Sequence, residues 1–124
     1  MSRTREVLIV LRRDAEVLVA HRSPEQGAYW HQIAGGVEPG ESEPEAAARE
    51  LAEETGLVAD VGEARHAFVY DGVTVTCFLV DVEPGWEPRL DDEHDGCRWC
   101  SLAEARELMR FADAWEAVAK LASQ

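Results

Sequence analysis

GGVEPGESEPEAAARELAEETGL, residues 35–57, is the stretch on which the reading of this chain turns. Ser42 is followed three residues on by Glu45, the pattern of a capping box in which each side chain satisfies a backbone N–H left free at a helix start. Ala46, Ala47 and Ala48 favour the helix, and Gly56 can take the left-handed conformation that stops one. A helix from about Glu43 to Thr55 follows. On it Glu50, Glu53 and Glu54 stand at i, i+3 and i+4, so the three carboxylates share one face with Cβ atoms about 5–6 Å apart. Left alone they repel, by about a few tenths of a kcal/mol per pair on a solvated helix. A solvated acidic stripe is the ordinary explanation in a chain with 25 acidic against 12 basic residues. The other is a carboxylate cage for Mg2+ or Mn2+, hard cations that take oxygen ligands.

The frame around the glutamates favours the cage. Gly35, Glu41, Arg49-Glu50-Leu51, Glu53-Glu54 and Gly56-Leu57 stand at the spacing of the Nudix box, which the segment resembles at every specified position. Gly35 and Gly36 let the backbone turn tightly and approach a metal or phosphate, and Gly56 gives the sharp helix exit. Arg49 is suited to pairing with Glu41 or Glu53, which would hold the cage in shape, while Leu51 and Leu57 anchor the apolar side of the helix. The resemblance implies a Nudix hydrolase, a pyrophosphohydrolase in which water attacks a phosphorus atom of a diphosphate linkage. It implies Glu50, Glu53, Glu54 and Arg49 as catalytic residues. Metal ligands are expected from Glu50, Glu53 and Glu54, joined by Gly35 and Glu93, with the Glu50 position orienting or deprotonating the water. The implied cofactor is Mg2+ or Mn2+, which polarises the phosphate oxygens.

Outward from the box, Val7–Leu11 and Val17–Ala20 are apolar runs around the polar stretch Arg12-Arg13-Asp14-Ala15-Glu16 and read as paired strands. His21–Tyr29 reads as a loop and Trp30–Val37 as a short strand. Downstream, His66–Tyr70 and Val73–Val82 meet at Asp71-Gly72, a dipeptide favoured in tight hairpin turns. Glu83–Asp95 reads as a Pro- and Asp-rich loop and Cys97–Cys100 as a strand. Ser101 with Glu104, and Asp113 with Glu116, repeat the capping-box pattern ahead of two closing helices. The expected fold is α+β, a Nudix-type α/β/α sandwich with a mixed β-sheet between helices, in a single domain over residues 1–124.

A net charge of −13 repels nucleic-acid polymers and anionic membrane surfaces, so neither is an expected partner. A small anion can still enter such a protein where bound cations invert the local field. No apolar run approaches membrane-spanning length and no secretory h-region is evident, which reads as cytoplasmic. Cys77, Cys97 and Cys100 are too few for a disulfide framework, and a strand would send Cys97 and Cys100 to opposite faces, against a zinc site.

The substrate rests on residues outside the box. Tyr29-Trp30-His31-Gln32, Glu93-His94 and Arg98-Trp99 resemble the branch of the family that hydrolyses nucleoside triphosphates or dihydroneopterin triphosphate. In that branch an aromatic residue before the box lies near the base or pterin, implying Trp30, and an acidic residue at the Glu93 position reaches the metal site. Arg22, Trp30, His31 and Glu41 are the expected substrate-binding residues, Arg22 because a lone arginine beside an acidic site needs an anionic partner. His94 is expected to line the pocket, and His21 and His66 to be structural. The expected reaction releases a monophosphate and pyrophosphate from a nucleoside triphosphate-like molecule. Alternatives are hydrolysis of ADP-ribose, nucleotide sugars or dinucleoside polyphosphates, and a non-catalytic ligand-binding module of the same fold. A homodimer is common among such relatives.

Overall fold

A computed structural model of the chain describes residues 4–124. Its elements are β1 (Arg5–Arg13), β2 (Glu16–Arg22), a single 3-10 turn (Pro24–Gln26), β3 (Trp30–His31), β4 (Ile33–Gly36), α1 (Glu43–Thr55), β5 (His66–Tyr70), β6 (Val73–Asp81), β7 (His94–Cys100), α2 (Leu102–Leu108) and α3 (Ala112–Ala122).

Strand β1 is the axis of the sheet. It runs parallel to β6, pairing residues 5–12 with 74–81, and antiparallel to β4, pairing Glu6–Ile9 with Gly36–Ile33. With β2 it pairs only at the hairpin end, Arg12 with Val17 and Arg13 with Glu16. Beyond that point β2 diverges from β1 and takes β7 and β3 as its antiparallel neighbours. The segment 30–36 therefore bridges the split, its first part on β2 and its second on β1. The sheet is mixed, as expected.

Alternation along β1 divides the core in two. Val7, Ile9 and Leu11 pack with Ala46, Ala47 and Leu51 of α1. Leu8 and Val10 pack on the other face with Ala114, Ala117, Val118 and Leu121 of α3. Because both faces are covered, β1 is a continuous apolar run rather than an alternating one. Helices on both sides give the α/β/α sandwich. Among the described residues no helix is long and apolar enough to cross a membrane.

Helix α1 begins and ends where its local signals put it. The Ser42 hydroxyl accepts from the Glu45 N–H at 3.2 Å, the Glu45 carboxylate accepts from the Ser42 N–H at 2.9 Å, and Gly56 stops the helix at φ +79°. Leu51, fully buried, fixes the helix's rotation about its axis and so the direction of its glutamates. Leu51→Ala should destabilise the protein by about 2–5 kcal/mol through the cavity it leaves, measured by chemical denaturation.

The structure differs from the sequence expectation at three places. The strand read as Cys97–Cys100 starts at His94, because β2 extends to Arg22 and offers it a partner edge. Asp113 caps nothing: α3 starts at Ala112, with Phe111 at the cap position and Asp113 in the first turn. Phe111 sets that entry by edge-on packing against Tyr29, His31 and Tyr70. The strand read as Trp30–Val37 is interrupted at Gln32 and ends at Gly36. At the second hairpin Asp71 and Gly72 both take positive φ, 50° and 76°, which matches the right-handed twist of the flanking strands. All three cysteines are free; Cys97 packs against the α1-side core, whereas Cys100 is buried in the core on the opposite face.

Candidate active site

Arg49, on the exposed side of α1, organises the acidic end of the molecule. Its Nε and Nη2 donate to the two oxygens of Glu41 at 2.7 and 3.0 Å, and Nη2 also donates to the Gly36 carbonyl at 2.9 Å. Its Nη1 donates to Glu50 Oε1 at 2.9 Å and Glu53 Oε2 at 3.2 Å. One planar, always-charged fork thus ties together the β4 end, the loop before α1 and two of the helix glutamates. The electrostatics agree: hydrogen bonds from Arg49 and from the Glu38 N–H hold Glu41 down to about 2, and those same carboxylates raise Arg49. Glu41, expected to touch substrate, instead gives both its oxygens to Arg49.

Gly35 carries a steric role the sequence only hinted at. A Cβ at that position would overlap the Glu50 carboxylate, so the absence of a side chain lets Glu50 lie against the strand backbone. Glu54 is different from its two neighbours. It is buried, with 2% of its surface exposed, and neither carboxylate oxygen has a hydrogen-bond partner. Burial, followed by the proximity of Glu50 and Asp91, pushes its carboxyl far above the ordinary range. An isolated carboxylate in such a place is costly unless a proton or a cation compensates it.

Among the described residues no three acidic, histidine or cysteine side chains already converge as a cation cage. Two of the required carboxylates, Glu50 and Glu53, are held by Arg49, while Glu54 is unclaimed. The donor set nevertheless suits a hard divalent cation: three carboxylates on one helix face, with Glu50 lying against the Gly35 backbone.

Two cavities adjoin this face. One, of about 500 Å3, is acidic and is walled by Glu50, Glu53, Arg49, Asp91, Glu93 and Arg22. The other, of about 290 Å3, is aromatic, with Phe68, Tyr70 and Phe111 in its walls. Glu6, Tyr29, His31 and Ala34 line both, so the two are neighbours that share a wall. Arg22 reaches the acidic cavity, donating to Gln26 Oε1 at 2.9 Å and lying 3.9 Å from Glu93. His31 sits at the junction, its Nδ1 enclosed and unpartnered; burial and then the nearby Arg22 lower it to about 4, so it is neutral at physiological pH.

Trp30 lines neither cavity. It packs into the α2–α3 core beside Met109 and edge-on to His21, because strand parity sends Tyr29 and His31 to one side and Trp30 to the other. The aromatic residues at the cavity are Tyr29, Phe68, Tyr70 and Phe111, which the sequence reading did not select. The parity of a two-residue strand leaves no trace in sequence, and Phe111 stands at a helix junction where an aromatic has no positional signature. Asp91, in the wall of the acidic cavity, was not selected either. His94, expected to line the pocket, lines neither cavity: it is buried, its Nδ1 2.7 Å from Asp91 and its Nε2 3.6 Å from Glu54.

The NUDIX domain family matches residues 2–121. The chain is similar to an octanoyltransferase of Myxococcus xanthus, 38% identical over 126 residues that cover 94% of this chain and 35% of that protein. It is also similar to a CTP pyrophosphohydrolase of Escherichia coli (strain K12), 36% identical over 104 residues that cover 80% of this chain and 76% of that one. The chain thus spans about a third of the first relative's length and three quarters of the second's. A crystal structure of a C. elegans Ap4A hydrolase binary complex superimposes with a TM-score of 0.82 over 95% of this chain and 96% of that chain, at 24% identity, a likeness of fold. With the Arg49 hub, the Gly35–Glu50 contact and the glutamate face of α1 standing in this sandwich, the chain belongs to the NUDIX domain family.

Proposed function

We propose that the chain is a divalent-cation-dependent pyrophosphohydrolase that splits a nucleoside triphosphate-like molecule into a monophosphate and pyrophosphate. The observation that carries this reading is the adjacency of the two cavities: an aromatic recess of a size for one ring system shares Tyr29 and His31 with an acidic one beside Glu50 and Glu53. A planar base or pterin stacks among Tyr29, Phe68 and Phe111, which offer both faces and edges of their rings. The phosphate chain then lies past His31 toward Glu50 and Glu53. Arg22 meets a phosphate oxygen, and neutral His31 offers a hydrogen bond without adding charge.

Glu50, Glu53 and Glu54, with the Gly35 carbonyl, would hold Mg2+ or Mn2+. Such a cation, when bound, neutralises the phosphate oxygens and makes water a better nucleophile. Arg49 keeps Glu41, Glu50 and Glu53 in register, and Glu50, on the cavity wall, takes the proton of the attacking water. A cytoplasmic location goes with this reading, supported by three free cysteines.

A single base is favoured over a dinucleoside polyphosphate by the composition of the acidic cavity. Its lining away from Tyr29 and His31, which it shares with the aromatic recess, includes Glu38, Glu53 and Arg49, with no second aromatic platform among the described residues. The test is a panel of nucleoside triphosphates, dihydroneopterin triphosphate, nucleotide sugars, ADP-ribose and dinucleoside polyphosphates with Mg2+ or Mn2+, read by product analysis. Release of pyrophosphate from a triphosphate, with the others turned over more slowly, is the expected result; hydrolysis of none moves the assignment to a non-catalytic binding module. Phe111→Ala should raise KM for the preferred triphosphate about tenfold with little change in kcat, the loss expected of one stacking contact. An unchanged KM would remove the aromatic recess from substrate binding.

A further inference from the structure

We propose that Asp91 and His94 form a positioning pair that fixes the Glu54 carboxylate for cation binding, an inference that rests on the function proposed above. The His94 side chain is completely buried, with Nδ1 2.7 Å from Asp91 Oδ1 and Nε2 3.6 Å from Glu54 Oε1. Nε2 and both Glu54 oxygens are buried without a hydrogen-bond partner. Two orphaned polar groups therefore face each other across a gap slightly longer than a hydrogen bond. A small side-chain adjustment closes it, and one proton, carried by either group, makes the bond.

The backbone is arranged to deliver His94 to this place. Along β2 and β7 the register pairs His21 with Gly96, but Arg22 with His94, so Asp95 is an extra residue in the ladder. Such a bulge redirects the side chains that follow it. Here Asp95 turns outward to His21 at 2.6 Å, and His94 turns inward to Glu54. The peptide unit entering His94 is pinned at both of its polar atoms: the Ser23 N–H donates to the Glu93 carbonyl at 2.9 Å, and the His94 N–H to the Asp91 carbonyl at 3.3 Å. With its ring fixed by Asp91 and its backbone by β2, His94 has one free atom, and that atom points at Glu54. Carboxylates that bind metal are held by hydrogen bonds of this kind, and a rigid partner selects one rotamer of the ligand before the cation arrives.

Titration with Mn2+ in the absence of nucleotide, followed by calorimetry, tests the pair directly, with kcat and KM measured alongside. His94→Leu should weaken Mn2+ binding by about 10- to 100-fold and raise the half-activating Mg2+ concentration by a like factor, while KM for the triphosphate at saturating metal stays within about twofold. His94→Gln, whose amide nitrogen falls where Nε2 lies, should restore affinity to within about threefold of the parent protein. Equal losses in the Leu and Gln variants, or parental affinity in the Leu variant, would overturn the proposal. If His94→Leu does not fold, Asp91→Asn carries the test: weaker Mn2+ binding supports the pair, and unchanged binding overturns it. The parent protein and Glu54→Gln separate this inference from the function beneath it. A parent that binds no Mn2+ and hydrolyses nothing removes both, whereas an active, Mn2+-binding parent indifferent to His94 removes only the pair.

Discussion

Glu54→Gln should abolish cation-stimulated pyrophosphate release, lowering kcat/KM by about 10²–10³-fold or more, because a metal that contributes several kcal/mol to the transition state loses its buried ligand. The same substitution should leave the metal-free protein at least as stable as the parent. Gln is a neutral isostere of the protonated carboxyl, and burial already raises Glu54 in the folded chain. The sign of the pH dependence follows. In the unfolded chain Glu54 ionises around its ordinary value of 4.5, whereas the folded chain keeps its proton to much higher pH. Between those limits the folded state binds the extra proton, so this group's contribution to stability is fully present below 4.5 and declines as pH rises. Metal-free Glu54→Gln should lack that decline, and Mg2+ should raise the melting temperature of the parent, by binding its folded state, but not that of the variant. Thermal denaturation at several pH values, with and without Mg2+, checks both statements. A variant that retains full activity would end the assignment of Glu54 to the site.

Gly35→Ala should separate activity from stability in a different way. The new methyl group would occupy the place of the Glu50 carboxylate, which is the far end of a flexible side chain and can swing aside. Stability should therefore fall by no more than about 1–3 kcal/mol, the usual range for an added methyl in a packed place. Activity should fall by about 100-fold, since Glu50 leaves both Arg49 and the cavity wall, and a displacement of about 1 Å at a reacting group is enough for such a loss. Equal activity in the Gly35 variant and the parent would show that Glu50 works from another position.

What could be read from the chain in advance was whatever is encoded within one turn or one strand. Ser42, Glu45 and Gly56 are local signals, and α1 has the bounds they dictate. Asp71-Gly72 likewise carries its own turn. The apolar run in β1 and the strand β6 were both legible, but their parallel pairing was not, because two faces buried alike say nothing of which edge is paired. The site divides along the same line. The glutamates and Arg49 lie within a helix period of one another, and their common face follows from spacing alone. Arg49 nevertheless holds both oxygens of Glu41, a choice among carboxylates made by three-dimensional reach. Strand parity turns Trp30 away from both cavities, and within Asp91-Asp92-Glu93-His94-Asp95 the bulge at Asp95 decides which residues turn inward. Neither parity nor a bulge is visible until the neighbouring strand is known.

The long parallel pairing of β1 with β6 also governs how the protein comes into being. Residues 5–12 find their hydrogen-bond partners at 74–81, and His94 reaches Glu54 only once β7 has added to β2. Pairings so distant along the chain must close a large loop before any contact rewards it, which makes folding slow relative to a helical protein of this size. A nascent chain that has emerged through residue 70 already holds the signature segment and, in β1 and β4, a first face to set α1 against, yet β1 still lacks its long neighbour β6. During synthesis α1 is therefore laid on a half-built sheet, and His94 comes up against Glu54 only when the last third of the chain arrives.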